Sequence, residues 1–276
     1  MLHILKQASS LARDLICPPT PAQILNGNRM FRPFLNYQHL WLSYFYPKET
    51  LSTSIGTWPY LQKFMMPLIK RRASSYHLNG INKLSLDCKI QPDFCEFSER
   101  FYNCSDGFEL YEVTKEIEPI TYFSLICQRK FPCINLVRAH EELFCANEPD
   151  FWHEAIGHIA PLCDREVQEF YIETAHHVLA SHDKIAFNQN MAVAWTLLEY
   201  GFIKQHGLHK MFGAALVGSH LAHMRYQYNN ISIEAAVRAE IISSGFYTEH
   251  TPLPRNHSNK IRFFSLDRLS CDALFI

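Results

Sequence analysis

Residues 148–158 of this chain read E-P-D-F-W-H-E-A-I-G-H. Two histidines, His153 and His158, lie five positions apart in it, with a glutamate directly after the first and a glycine directly before the second. In the H-E-x-x-H helix of zinc proteases, the histidines are four positions apart and share one face. At a spacing of five, an ideal α-helix turns the two rings about 140° away from each other. We therefore expect both rings to bind one ion only if the helix stops between them, and Gly157 and then Pro161 would stop it.

A third metal ligand is predicted from residues 190–206, which have the apolar periodicity of a helix. Glu199 falls inside the apolar stripe, four residues after Trp195. A buried carboxylate is costly unless a partner neutralises it, and a divalent cation is such a partner. Two histidines and one carboxylate are the ligand set typical of non-haem Fe(II) oxygenases. The alternatives are that Glu199 lies at the edge of the stripe or pairs with an arginine, and that the histidines are ordinary core or surface residues.

The composition narrows the class of protein. The chain has 276 residues and a formal net charge of −1, so no strong attraction to nucleic acid or to an anionic membrane is implied. Neither a signal-peptide pattern nor an apolar span long enough to cross a membrane is visible. The nine cysteines are odd in number and include no C-x-x-C pair, which favours reduced thiols. We expect a soluble cytoplasmic protein without a nucleic-acid or membrane partner.

The apolar periodicity predicts a mainly α fold with a few short strands. Residues 17–60 are rich in proline and are expected to be extended or turn-rich. Gly207 and Gly245 are expected just past the ends of two helices, and Ser232 at the start of another. The predicted helices are residues 60–72, 94–103, 165–180, 190–206, 209–228 and 232–244, and the predicted strands are residues 108–113 and 134–137.

Four motifs occur along the chain: E-P-D-x-x-H-E-x-x-G-H-x-x-P-L at 148–162, W-x-x-x-E-Y-G-F-x-K-Q at 195–205, F-G-A-A-L-V-G-S at 212–219 and T-E-H-T-P-L at 248–253. Their order and spacing resemble those of the pterin-dependent aromatic amino acid hydroxylases. Arg138 also lies ten residues before the glutamate of E-P-D, as in that family. The best-matching core runs from about residue 105 to 253. The resemblance implies a catalytic-domain fold of that family, with one catalytic domain over residues 1–276. It also implies a divergent, proline-rich part at 1–58 and neither a regulatory nor a tetramerisation domain.

The resemblance implies an enzyme that holds Fe(II) through His153, His158 and Glu199. It also implies a tetrahydropterin co-substrate, tetrahydrobiopterin or a related compound, and a reaction in which O₂ hydroxylates the ring of a free aromatic amino acid. Trp195 matches the tryptophan typical of the phenylalanine and tyrosine enzymes, and phenylalanine, converted to tyrosine, is the first expected substrate. Tryptophan or several aromatic amino acids are the alternative. A monomer or weak dimer is expected.

Further roles carry over from the resemblance position by position. Arg138 would bind the substrate carboxylate, because a guanidinium matches a carboxylate bidentately; the alternative is a surface salt bridge. Trp195 would form a wall for the substrate ring; the alternative is plain core packing. Glu154 would lie near iron and pterin as a catalytic and cofactor-binding residue; the alternative is an exposed helix residue. Asp150 is expected to cap the metal-bearing helix or to brace Arg138.

Two further predictions concern substrate and pterin. Ser219 would help to hold the amino acid group of the substrate, and Tyr122 and Phe123 fall where the family stacks its pterin.

The chain departs from the family pattern around the expected substrate and pterin, whereas the three metal ligands are intact. Two alternatives of other classes therefore stay open. One is a zinc hydrolase that uses Glu154 as general base, against which the spacing of five argues. The other is a non-catalytic relative that binds a metal or an aromatic ligand. The changed positions are Pro132, Ala146, Asn147, Ala194, Gly218 and Ala222.

Overall fold

The computed structural model describes residues 56–139, 142–143, 146, 149–227, 231–244 and 261–275. Several expectations lie outside these residues. They are the extended character of residues 17–55, the helix end at Gly245 and the T-E-H-T-P-L motif at 248–253. Within the described part, helices dominate and a few short strands accompany them, which confirms the predicted fold class.

In the described part of the chain, four helices precede the metal-binding motif. The predicted helices at 60–72 and 94–103 are confirmed. Asp93 begins the third of these helices, since its carboxylate accepts hydrogen bonds from the backbone N–H groups of Cys95 and Glu96 at 3.0 and 3.1 Å. The four are α1 (Trp58–Arg72), α2 (Ser75–Lys83), α3 (Phe94–Cys104) and α4 (Pro119–Cys127).

Two long helices follow the motif and pack against each other. Helix α5 (Arg165–Leu179) confirms the prediction for 165–180, and α6 covers Lys184–Tyr200. Each begins at an aspartate whose carboxylate accepts a backbone N–H of the first turn. The C-terminus of α6 carries Glu199 towards the metal-binding motif.

The predicted helices at 190–206 and 209–228 are wrong where they meet. The chain leaves α6 at Gly201 and forms an antiparallel hairpin of β3 (Phe202–Gln205) and β4 (Leu208–Met211). His206 and Gly207 make its two-residue turn with φ of 51° and 76°. Positive φ at both positions is the mark of a type I′ hairpin turn, so Gly207 serves a turn and not a helix end. Two short helices then follow, α7 (Ala214–Val217) and α8 (His220–Gln227).

The strands of the described residues form two sheets. Strand β1 (Glu109–Val113) pairs in parallel with β2 (Lys130–Ile134), so the strand predicted at 134–137 is shifted towards the N-terminus. The second sheet has the order β4-β3-β6-β5, with β5 at Ile231–Ala235 and β6 at Ile261–Leu266. The helix predicted at 232–244 is therefore wrong in its first half: Ser232 lies in a strand, and α9 covers only Arg238–Ser243.

The hydrophobic core is continuous and surrounds the metal-binding motif. Phe151, Trp152 and Ile156 are fully buried in it, together with Trp58 of α1 and Phe97 of α3. The seven cysteines in the described part, which leaves out Cys17 and Cys145, are all free thiols. None of the helices in the described part combines the length and the apolar character needed to cross a membrane.

Candidate metal centre

The motif forms a π-helix at His153–Ile159, and the expectation that the helix stops between the histidines is wrong. The winding is visible in the hydrogen bond from the N–H of Ala160 to the carbonyl of Ala155, five residues earlier, at 3.0 Å. In such a helix, residues five apart lie one above the other, as residues four apart do in an α-helix. The rings of His153 and His158 are consequently neighbours, with centroids 5.0 Å apart.

Contacts at Gly157 hold the π-helix in place. A Cβ at this position would lie 2.6 Å from Cβ and 2.8 Å from Cα of Ala214, so only glycine lets α7 pack so closely. The carbonyl of Gly157 accepts a hydrogen bond from Nε2 of His77 at 3.0 Å. Burial lowers the pKa of His77 to about 3, so this ring is neutral, and its Nδ1 accepts from the Ser74 hydroxyl at 2.8 Å. Helix α2 thus supports the backbone between the two histidines.

Glu199 points its carboxylate at both imidazoles. Its Oε1 lies 3.0 Å from Nε2 of His158, and its Oε2 lies 3.6 Å from Nε2 of His153. Burial pushes the pKa of Glu199 upwards, but the two histidines and the N–H of Ala215 outweigh burial and hold this pKa below its ordinary value. Burial also lowers the pKa of His153 to about 4. The cluster therefore combines a neutral His153 and a carboxylate anion around one point.

A second carboxylate, Glu154, borders the same point. One possible ligand atom from each of His153, Glu154 and His158 lies within 4.8 Å of the others. Burial, and then the negative charges of Glu199 and Asp150, raise the pKa of Glu154 well above its ordinary value. Glu154 is 7% exposed, so it is not an exposed helix residue. The pKa values of the two glutamates thus shift in opposite directions: the lowered pKa of Glu199 favours the anion that binds a cation, and the raised pKa of Glu154 favours its protonated form.

Asp150 connects Arg138 to the π-helix, and both of its expected roles are present. Its carboxylate accepts from Nε and Nη2 of Arg138 at 2.9 and 2.7 Å. It also accepts from the backbone N–H of His153 at 3.0 Å. Burial raises the pKa of Asp150, but the Arg138 charge outweighs burial, so the pKa lies below its ordinary value. Arg138 is only 6% exposed, which excludes a surface salt bridge.

Sequence reasoning missed the partner on the far side of His158. The hydroxyl of Tyr171, on α5, lies 3.0 Å from Nδ1 of His158. His158 is thereby held at both ring nitrogens, by Tyr171 on one side and Glu199 on the other. The only signal in the sequence was the place of Tyr171 on the apolar face of its helix, which is equally typical of a core residue.

A cluster of aromatic side chains lies beside the two histidines. Tyr122 of α4 packs on Trp195 of α6 with ring centroids 4.8 Å apart, and Phe123 packs on the same ring at 5.4 Å. Phe131 of β2 connects Tyr122 to His158, at 6.0 and 5.4 Å. The Tyr122 hydroxyl is buried and has no hydrogen-bond partner within the described ranges. Tyr122 and Trp195, predicted to border pterin and substrate, are thus brought together beside the histidines.

The hydroxyl of Ser219 is used at the start of a helix. Its Oγ accepts from the N–H of Ala222 at 3.4 Å, at the start of α8. The preceding Gly218 lies against His153: a Cβ there would be 3.9 Å from Nδ1 of that ring. Gly218 has no side chain with which to reach this nitrogen.

Comparison with protein families adds a decisive observation. A family model described as biopterin-dependent aromatic amino acid hydroxylase matches residues 47–251, well over half of the chain. The chain belongs to this family. The match to the hydroxylase family begins further towards the N-terminus than the core expected at 105–253.

Two relatives of known activity have low sequence identity to this chain. Tyrosine 3-monooxygenase of Rattus norvegicus is 28% identical over 175 residues, which are 62% of this chain and 35% of that protein. Phenylalanine-4-hydroxylase of Vibrio cholerae is 27% identical over 168 residues, 59% of this chain and 56% of that protein. The chain therefore spans less than two thirds of the length of either relative.

The structural comparison concerns the fold. Phenylalanine hydroxylase of Chromobacterium violaceum, solved with iron(III) and oxidised 7,8-dihydrobiopterin, superimposes with a TM-score of 0.68 at 20% identity. The superposition covers 80% of this chain and 78% of that one. It shows that the two chains share the hydroxylase catalytic fold.

Proposed function

We propose that the chain is an Fe(II)- and tetrahydropterin-dependent monooxygenase that uses O₂ to hydroxylate the ring of a free aromatic amino acid. Phenylalanine, giving tyrosine, is the substrate proposed first, and tryptophan or a broader range is the alternative. The observation that carries the proposal is the convergence of two imidazole nitrogens on the Glu199 carboxylate, at 3.0 and 3.6 Å, in a chain of the hydroxylase family.

The donor set fits a ferrous ion. Two imidazole nitrogens and one carboxylate, held on one side of a point, are the facial triad that suits non-haem Fe(II) and leaves positions open for water or O₂. His153 is neutral and Glu199 is ionised, which are the forms that bind a cation. When bound, the iron and the reduced pterin would supply the activation of O₂. The side chains of the protein would bind and orient the reactants.

Arg138 is proposed to bind the substrate carboxylate. Asp150 holds its Nε and Nη2, and Nη1 is not part of that pair. A guanidinium has five N–H donors in a fixed plane, so a second carboxylate can be bound beside the first. Because Asp150 also accepts from the backbone of His153, the same carboxylate would keep the substrate anchor in register with the metal ligand. Ser219 is proposed to assist at the amino acid group.

Trp195, Tyr122 and Phe123 are proposed to contact the two aromatic reactants. Their rings form one cluster beside His158, which supports a site that excludes water and orients flat ligands. The buried Tyr122 hydroxyl offers a hydrogen bond that a ligand can satisfy. Glu154 is proposed to hold a proton beside the iron and the pterin, since its carboxyl group is buried and its pKa is raised.

The proposal is tested by turnover. The protein is loaded anaerobically with Fe(II) and then given a tetrahydropterin, O₂ and each free aromatic amino acid in turn, and hydroxylated amino acids are measured by mass spectrometry. We expect product from phenylalanine, and no product from Glu199→Gln, which keeps the shape of the side chain but loses its charge. Glu169→Gln, an exposed change on α5, should leave the yield unchanged.

Three results would contradict the proposal. Absence of hydroxylated product from every amino acid would overturn the oxygenase. Equal yield from wild type and Glu199→Gln would favour a non-catalytic relative with adventitious iron. Hydrolysis of an ester or amide that depends on zinc and on Glu154 would favour the zinc hydrolase. The cytoplasmic location, the single catalytic domain and the monomeric or weakly dimeric state stay predictions.

A further inference from the structure

We propose that Tyr171 is a positioning residue, which holds His158 in the orientation and protonation pattern that a metal ligand requires. The inference rests on the metal site of the proposed function. Its basis is the distance of 3.0 Å between the Tyr171 hydroxyl and Nδ1 of His158, with Nε2 of the same ring 3.0 Å from Glu199. The imidazole is thus held at opposite ends, and rotation of the ring would break both contacts.

The Tyr171 hydroxyl is committed to this contact. Tyr171 is 2% exposed, and in the described part of the chain its hydroxyl makes no other hydrogen bond. A buried hydroxyl is costly unless it is paired, so a phenylalanine would serve packing better if packing were the only role. The phenol therefore serves the polar contact with His158.

The arrangement also fixes where the ring proton lies when a cation is present. A cation bound at Nε2 takes the lone pair of that nitrogen, so the proton of a neutral ring lies on Nδ1. Nδ1–H then needs an acceptor, and the Tyr171 oxygen is the one within reach. A hydroxyl can accept as well as donate, so Tyr171 satisfies the ring in this form. Partners of this kind keep a ligand histidine oriented and raise its basicity.

The two histidines are supported differently, which makes the role of Tyr171 specific to one of them. His153 is fixed through its backbone N–H, which donates to Asp150 at 3.0 Å. Gly218, beside Nδ1 of His153, has no side chain that could hold the ring from behind. Loss of the Tyr171 hydroxyl therefore removes the one side-chain contact in the described structure that holds a metal-binding imidazole through its Nδ1.

The test measures metal binding without turnover. Affinity of the metal-free protein for Co(II) and, anaerobically, for Fe(II) is determined by competition with a chelator for wild type and Tyr171→Phe. We expect affinity to fall about 10–100-fold in the variant, as for the loss of other partners of ligand histidines. Tyr76→Phe is the matched control, because it also deletes a phenol hydrogen bond to α5, from Tyr76 to Glu166 at 2.6 Å. Affinity of this control should equal that of wild type.

A second readout includes a measurement on wild-type protein alone, which does not require the variant to fold. In wild-type protein labelled with ¹⁵N-histidine and loaded with Zn(II), the Nδ1–H of one ligand histidine should be protected from solvent exchange, and it should lose protection in Tyr171→Phe. Equal metal affinity of Tyr171→Phe and wild type, or rapid exchange of both ligand Nδ1–H groups in wild type, would overturn the role of Tyr171. If wild type itself bound no divalent metal, the result would contradict the proposed function, and not the role of Tyr171 alone.

Discussion

At the scale of single residues, the carboxylate of Asp150 has two structural roles. It neutralises Arg138 and it accepts the backbone N–H of His153. Breaking a buried ion pair from one side leaves a charge without compensation, and this costs far more than the pair contributes when it is intact. Arg138, the proposed substrate anchor, and the π-helix therefore depend on one side chain.

Asp150→Asn is expected to destabilise the protein by about 3–5 kcal/mol, because the Arg138 charge stays buried without its partner. Urea denaturation measures the change. The control is Glu169→Gln, which breaks the exposed pair of Glu169 with Arg165 at 2.8 Å and should cost less than about 1 kcal/mol. Similar losses in the two variants would show that the Arg138–Asp150 pair is solvated in solution.

Tyr122→Phe is expected to raise the stability of the ligand-free protein by about 1–3 kcal/mol, the usual cost of a buried polar group without a partner. The same change should raise the KM for whichever aromatic reactant the hydroxyl binds, with little effect on the other reactant. Thermal unfolding and separate titrations of pterin and amino acid measure the two effects. A loss of stability would show that an ordered water already satisfies the hydroxyl.

At the scale of elements, the π-helix explains how a spacing of five forms a site. The spacing identified the two histidines, but their rings converge only because the segment is a π-helix. The local sequence did not predict this π-helix. That winding requires a partner surface, and α7 supplies it by packing against Gly157. The π-helix and α7 therefore depend on each other, and their packing helps to bring Glu199 and the histidines together.

Gly157→Ala should therefore lower metal affinity proportionally more than it lowers the free energy of unfolding. Its Cβ would lie 2.6 Å from Cβ and 2.8 Å from Cα of Ala214, and relief of that overlap must move backbone. We expect a loss of about 1–3 kcal/mol in unfolding free energy, as for overpacked cores, and a larger proportional loss of metal affinity. Gly56→Ala is the control, since its Cβ would meet nothing within 4 Å. Unchanged metal affinity in Gly157→Ala would contradict this account.

Elements whose signals are local were predictable, and those set by distant contacts were not. Helices α3 and α5 follow from apolar periodicity, with an aspartate capping the start of each. Strand β5 pairs with β6 at Ile261–Leu266, far along the chain, so its residues read as a helix in isolation. Likewise, the proposed ligand residues follow from motif spacing, whereas Tyr171 and His77 belong to other elements that only the tertiary fold brings to the site.

At the scale of the whole molecule, the Arg, Asp and Glu side chains that are buried within the described ranges, Arg138, Asp150 and Glu154, all lie at the site. The pKa shifts have opposite signs, so they affect stability in opposite ways. The pKa values of Asp150 and Glu199 are lowered, which stabilises the fold above their unfolded-state values and is lost as pH falls. The pKa of Glu154 is raised, which destabilises the metal-free fold as pH rises above the ordinary value of 4.5. A bound cation would relieve the second effect.

Glu154→Gln should consequently stabilise the metal-free protein near neutral pH. The wild type must either keep Glu154 protonated or bury its charge, which costs about 1.4 kcal/mol for each pH unit between the unfolded and folded pKa. The amide does not ionise, so the gain should grow from pH 5 to pH 7 and shrink when metal is bound. Urea denaturation at each pH, with and without Co(II), measures it, and Glu99→Gln on α3 is the exposed control. Parallel pH profiles of wild type and Glu154→Gln would mean that Glu154 is hydrated in solution, and the site would then lose its protonated acid.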